Sequence, residues 1–278
     1  MLDVLKRHRW DLALVDDEWN FRFIRIPYKD RWFADPFILD VNDSEIVLLT
    51  EEFSYALNRG RIAKLSISRE TLEMKEMEIV LDLPTHLSFP AILRKDGQVF
   101  VYPENSESGA CMMYRYDDSR RLMTPASILC REPLTDAVLT EIGGRDLLLS
   151  TRLPEQNGKR LGLYERIDEE YKRVQTIVFD DYVGRNAGNT FMRDGVLYRP
   201  AQICDGSYGY GLGISFQALE VEDGEIKARE ISRRYPPEGY DGMHTFNSYK
   251  GIHVVDCRRY LYPAVRNALH AIKSALRK

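Results

Sequence analysis

At 278 residues the chain is long enough to bury one substantial core. Aromatic residues at 11% and charged residues at 29% exclude a disordered polymer. The 39 Lys and Arg against 43 Asp and Glu leave a net charge of −4, without the basic excess of a nucleic-acid binder, so no nucleic acid partner is expected.

The N-terminal stretch MLDVLKRHRWDLALVDDEW lacks the apolar centre of a secretion signal, and no segment reaches ~18 uninterrupted apolar residues. A cytoplasmic location is therefore expected. WDLALV and FRFIRI then read as two strands, rich in β-branched and aromatic residues. The four cysteines, Cys111, Cys130, Cys204 and Cys257, are scattered without metal-ligand spacing and read as packed, reduced thiols.

Five hairpins follow. FADPFILD turns through VNDS into EIVLLTEE; HLSFPAILR turns through KDG into QVFVYPEN; TDAVLTEI turns through GG into RDLLLSTR. RNAGNTFM turns through RDG into VLYRPAQ, and MHTFNSY turns through KG into IHVVDCR. With Asp35, Phe89, Asp136 and Ala187 as equivalent strand starts, Asn42, Asp96, Gly143 and Asp194 open the turns, each seven residues later. Successive starts lie about 50 residues apart, the period of a propeller blade. RIAKLSIS, ACMMYRYD, RLGLYERI and YGLGISFQALEV supply outer strands between the hairpins. The fold predicted is all-β, a five-bladed β-propeller over residues 1–260, with WDLALV and FRFIRI completing the fifth blade. A β-sandwich with coincidental spacing is the rival. Residues 261–278 are predicted to form a short amphipathic α-helix on which Val265, Leu269, Ile272 and Leu276 make one stripe. Six Lys and Arg from Arg258 to Lys278, with no acidic residue, suit either a rim helix with a solvated basic face or peripheral contact of residues 262–278 with anionic lipid at the inner face of a membrane.

In a propeller the first strands of the blades line a central channel, and the start of the first strand lies at the same end as the close of the second. That end collects Asp35, Ser88, Asp136, Asn186 and His244 from the starts, and Glu51, Glu104, Arg152, Gln202 and Arg258 from the closes. Buried charge is costly unless paired or used, so a polar residue in every blade points to a funnel for a polyhydroxylated ligand. Asp35, Glu104 and Asp136 are the candidate catalytic carboxylates: glycosyl transfer needs one carboxylate as base or nucleophile and one acid of raised pKa, which a third carboxylate can raise further. The competing reading of Asp35 and Asp136 is a turn or backbone cap. Glu51, His86, Arg152, Arg185, Asn186, Arg199, Gln202, Tyr208, His244 and Arg258 are the candidate substrate contacts. His86 and His244 lack a second ligand at metal spacing, so no metal is expected. The glycine-rich DGSYGYGLG lacks the lysine and the strand–loop–helix setting of a phosphate loop, so no cofactor is expected; Tyr208 and Tyr210 there either stack on a sugar ring or pack in a turn.

The succession HLSFPAIL, VFVYPEN, DAVLTEIGGRDLLLST, GRNAGNTFMRDGVLYRPAQ and HTFN resembles the propeller domain at the N-terminus of plant glucosamine inositolphosphorylceramide transferases, and similar bacterial domains, some fused to formyltransferase-like modules. The resemblance covers roughly residues 20–259. It implies a five-bladed propeller shaped like the glycoside hydrolases of families 32, 43, 62 and 68. In family 43 an Asp of blade one acts as base, a second Asp tunes pKa and a Glu acts as acid. Asp35 in FADPF resembles the first; the second blade reads HLSFPAIL, without an Asp; Asp136 stands where the acid is sought, leaving Glu104 as an acid from another blade. The expected function is that of a carbohydrate-active enzyme of glycan assembly, a glycosyltransferase acting on a sugar or activated sugar. A glycoside hydrolase using the same carboxylates, and a non-catalytic sugar-binding module, are the alternatives.

Overall fold

A computed structural model describes residues 8–206 and 209–261. Residues 262–278, where the basic helix is expected, lie outside them, as does Tyr208. Among the described residues twenty strands form five four-stranded antiparallel sheets. Blade one is β3 (Arg31–Val41), β4 (Glu45–Ser54), β5 (Arg59–Ser68) and β6 (Met74–Leu81). Blade two is β7 (Ser88–Lys95), β8 (Gln98–Glu104), β9 (Cys111–Asp117) and β10 (Leu122–Cys130). Blade three is β11 (Leu134–Ile142), β12 (Arg145–Arg152), β13 (Arg160–Ile167) and β14 (Glu170–Val178). Blade four is β15 (Phe191–Arg193), β16 (Val196–Gln202), β17 (Ile214–Glu222) and β18 (Glu225–Arg234). Blade five has the order β19 (Phe246–Tyr249), β20 (Ile252–Tyr260), β1 (His8–Val15) and β2 (Phe21–Phe23). The protein is a five-bladed β-propeller.

The register explains the repeat. In blades one, two and three the first strand carries a bulge where two residues face one: Asp35 and Pro36, Phe89 and Pro90, Asp136 and Ala137. The first residue of each pair has left-handed backbone, with φ of 50° at Asp35, 44° at Phe89 and 47° at Asp136. Asp accepts that region more readily than Phe, for which it is strained. The recurrence shows that the bulge is a device of the fold: Asp35 and Asp136 at the bulge line the central cavity, while Phe37, Ala91 and Val138 just after it pack in the core.

The core lies between blade faces. Phe37 and Phe89 meet edge to face at 4.8 Å between blades one and two. Leu12, Ile38, Leu48 and Val254 fill the space between blades five and one, and Leu147, Leu161, Leu219 and Ile226 that between three and four. All four cysteines are buried free thiols.

The ring closes through β1, which pairs with β20 from His8↔Tyr260 to Val15↔His253 and contributes buried Trp10, Leu12 and Ala13. Without it β20 would be an unpaired apolar edge. Removing residues 1–23 is therefore expected to abolish the cooperative thermal transition, measured by far-ultraviolet circular dichroism; a truncated chain that still melts sharply would show that closure is dispensable.

Candidate functional site

The bulges and the carboxylates of the floor are one system. Asp256, at the close of β20, is fully buried and accepts four hydrogen bonds: from the Asp35 N–H at 2.8 Å, the His244 N–H at 3.1 Å, the Thr245 N–H at 3.0 Å and His244 Nδ1 at 2.7 Å. Asp35 in turn accepts the Phe89 N–H at 3.0 Å and the Thr245 hydroxyl at 2.6 Å. Glu104 accepts the Asp136 N–H at 3.0 Å, with Ser106 Oγ on its other oxygen at 3.1 Å. Each carboxylate thus holds the bulge of the next blade: five to one, one to two, two to three. Asn186 of blade four donates to the Asp136 carbonyl at 2.7 Å.

Above this floor lies a cavity of about 830 Å³. One wall is charged. Arg185 sets Nε 2.5 Å from Asp136 and Nη2 3.5 Å from Glu104, and Nη1 donates to Asn157 at 3.1 Å. Gln202 donates to Asp136 at 2.7 Å. The lining is also aromatic, and the Arg185 guanidinium lies 5.2 Å over the Tyr210 ring. Trp10 stacks on His244 with centroids 3.8 Å apart, Tyr210 lies on the same imidazole at 5.7 Å, and Trp32 stacks on Phe53 at 4.7 Å. Two glycines make the close approaches possible. A Cβ at Gly60 would overlap the Leu87 carbonyl and come within 2.9 Å of His86, whose Nδ1 accepts the Gly60 N–H. At Gly211 φ is +60°, and a Cβ would stand 2.5 Å from that of His244.

Burial, and then the neighbouring Asp136, push the Glu104 carboxyl well above the usual carboxylate range, against the pull of Arg185. Burial likewise raises Asp35 to about 7; His244 opposes the shift, while Glu51 and Asp256 add to it. Burial by itself would lower His244, but the Asp256 and Asp35 carboxylates outweigh it and hold the imidazole above its ordinary value. Burial raises the Tyr210 phenol to about 12. Asp35, His244 and Asp256 bring ligand-type atoms within 4.8 Å of one another. Their lone pairs already take the N–H and O–H donors just described, so a cation there would have to displace them.

Of the residues singled out by sequence, Asp35, Glu104, Asp136, Glu51, His86, Arg185, Gln202 and His244 line the one cavity. Four others lie elsewhere. Arg152 is one residue beyond Thr151, which faces the pre-bulge Thr135; the strand period of two turns Arg152 outward onto Glu132 at 3.1 Å. Asn186 and Arg199 are buried behind the wall: Arg199 donates to Asn186, Gln217 and the carbonyls of Val183 and Gly184, and burial lowers it to about 9. Arg258 pairs with Asp241 at 3.2 Å and lies 5.4 Å over the Trp10 ring, outside the cavity lining.

The profile of the family described as "Glucosamine inositolphosphorylceramide transferase 1, N-terminal" matches residues 24–259. The chain belongs to this family. Over 191 residues it is 26% identical to glucosamine inositolphosphorylceramide transferase 1 of Oryza sativa subsp. indica, covering 66% of this chain and 26% of that protein. Over 202 residues it is 25% identical to the same-named protein of Arabidopsis thaliana, covering 69% of this chain and 26% of that one. The chain therefore spans about a quarter of the length of the curated relatives it matches. In fold it resembles a family 43 β-xylosidase/α-arabinofuranosidase from a compost metagenome, with a TM-score of 0.55 at 12% identity over 85% of this chain and 92% of that one. It also resembles the α-L-arabinanase of Cellvibrio cellulosa, with a TM-score of 0.51 at 14% identity over 77% of this chain and 86% of that one.

In this member of the glucosamine inositolphosphorylceramide transferase 1 N-terminal family, sequence reasoning missed Asp256, Trp10 and Trp32. The strand-close rule selected Arg258, two residues past Asp256 on the same face, because blade five lacks the seven-residue spacing of the others. Asp256→Asn leaves buried N–H donors short of an acceptor and is expected to destabilise the fold by about 3 kcal/mol in urea titration. Because folded Asp35 titrates at about 7 against an ordinary 3.8, the folded state holds its proton more tightly. That contribution to stability is complete below pH 3.8 and is lost as pH rises towards 7. Asp35→Asn, which mimics the protonated acid, should flatten this part of the melting-temperature profile; an unchanged slope would assign the pH dependence to other groups.

Proposed function

We propose that the funnel binds a sugar unit of a glycan under assembly and that the chain serves glycosyl transfer. One observation carries the reading: the aromatic rings of Trp10, Trp32, Phe53 and Tyr210 line the same cavity as Glu104, Asp136 and Arg185. A pyranose has an apolar face of C–H bonds and a rim of hydroxyls, so it is matched by a ring surface on one side and bidentate polar groups on the other. The family to which the chain belongs, named for a glycosyl transferase, supports this setting.

A second reading, glycoside hydrolysis, is favoured by Glu104, whose raised carboxyl beside Asp136 suits a proton donor to a leaving oxygen. The two separate experimentally. Turnover that depends on an activated sugar donor supports transfer, and free sugar released from aryl glycosides or oligosaccharides without a donor replaces it with hydrolysis. Binding with no turnover in either assay leaves a recognition domain.

Tyr210→Ala should weaken sugar affinity about five- to tenfold, since an aromatic contact contributes about 1 kcal/mol beyond its area and each 1.4 kcal/mol is tenfold. Undiminished affinity in isothermal titration would remove the aromatic wall from recognition. If Glu104 is the acid, Glu104→Gln, which keeps one oxygen for the Asp136 N–H, should reduce turnover at least ~100-fold at a temperature where circular dichroism shows the variant folded; turnover within a few fold of wild type would exclude that role.

A further inference from the structure

The charge and hydrogen-bonding inventory of the funnel restricts what enters it. Four carboxylates line the cavity: Asp35, Glu51, Glu104 and Asp136. Among the described residues, Arg185 is the only Lys or Arg in the lining. Its guanidinium is already spent on Asp136, Glu104 and Asn157. Arg199 and Arg258 face away, towards neutral carbonyl oxygens and towards Asp241 respectively. Phosphate is ordinarily held by free cations or by the N–H groups at a helix N-terminus. Among the described residues there is no α-helix and no lysine in the cavity lining.

The unmet groups have the opposite demand. Gln202, 1% exposed, donates through Nε2 to Asp136 and to the Asn186 carbonyl, while its Oε1 is buried without a partner. Glu51, 5% exposed, has a buried Oε1 that is ion-paired with His86 Nε2 at 3.3 Å and has lone-pair capacity beyond that contact. Both residues line the cavity. Buried acceptors without donors are costly unless a ligand or water supplies O–H or N–H. A phosphate would bring further acceptors to a lining whose cationic groups are already engaged, Arg185 by Asp136 and Glu104, His244 by Asp256 and His86 by Glu51.

We propose that the funnel takes the donor-rich, phosphate-free sugar of the transfer, an uncharged or amine-bearing polyol, with Glu51 Oε1 and Gln202 Oε1 accepting from its hydroxyl or amino groups. The funnel is then the acceptor side of the reaction, and the phosphate-activated sugar is bound outside it. This rests on the reading that the funnel binds sugar, and the test keeps the two apart. Saturation-transfer nuclear magnetic resonance on the full chain would be run with four probes: methyl glycosides, 2-amino-2-deoxy sugars, uridine diphosphate and inorganic pyrophosphate. Saturation of the sugars and none of uridine diphosphate or pyrophosphate at 100-fold excess is expected. Glu51→Gln, which replaces one acceptor oxygen by a donor, should weaken the bound sugar at least threefold, and the amino sugar more than the neutral one if the amine is the group recognised. Tyr210→Ala serves as a second variant outside the carboxylate floor, should Glu51→Gln fail to fold. Binding of uridine diphosphate or pyrophosphate that Tyr210→Ala weakens would overturn the proposal while leaving a sugar-nucleotide funnel intact. Absence of binding by all four probes would overturn both.

Discussion

A carboxylate that accepts the backbone N–H of its neighbour's bulge is the interaction on which the rest of this molecule depends. Asp256 holds Asp35, Asp35 holds Phe89, and Glu104 holds Asp136. The N–H at each bulge faces the channel, out of reach of its own sheet's ladder, and would be an orphan there. A carboxyl oxygen on the preceding blade accepts it and ties the two sheets together. The left-handed backbone at Phe89, strained for an aromatic residue, is held by that bond and by packing against Phe37.

The same carboxylates define the chemistry of the funnel. Buried, with Asp136 beside Glu104 and with Glu51 and Asp256 near Asp35, the Glu104 and Asp35 carboxyls are shifted upward and hold protons more tightly than exposed acids. Holding the ring together and presenting hydrogen-bonding groups to a ligand are therefore functions of the same atoms. This accounts for a polar floor in a small domain whose blades are otherwise joined by aliphatic and aromatic packing. It also accounts for the tolerance of a fully buried Arg199 without a carboxylate partner: its guanidinium holds Asn186, which in turn holds the Asp136 and Leu149 carbonyls.

Closure of the ring and completion of the site are coupled through β1. The strand that pairs with β20 also carries Trp10 onto the His244 imidazole and places His8 in the cavity lining. Tyr210 reaches the same imidazole from the loop between β16 and β17 of blade four, where Gly211 removes the obstruction a side chain would present. The aromatic wall is thus assembled from blades five, one and four, and exists only when the ring is closed.

The repeat was legible in the sequence because strand period and turn chemistry are local. Turn residues seven positions after Asp35, Phe89, Asp136 and Ala187 marked equivalent positions, and the first three share one backbone conformation. Glu51 and Glu104 were legible for the same reason: each faces the residue before a bulge. Arg152 misled because one extra step along a strand reverses the face, and Asn186 and Arg199 because polarity near a strand end does not distinguish a group that lines a cavity from one that supports it. Asp256, Trp10 and Trp32 carried no local mark; in sequence they read as ordinary strand residues. The importance of Asp256 and Trp10 depends on partners more than 200 positions away, Asp35 and His244, which only closure of the ring brings within a hydrogen bond or a ring stack, whereas Trp32 stacks on Phe53 of its own blade. The sequence by itself determined the blades and most of the polar floor, whereas tertiary structure decided the clip between blades and the aromatic wall, because those contacts join the two ends of the chain.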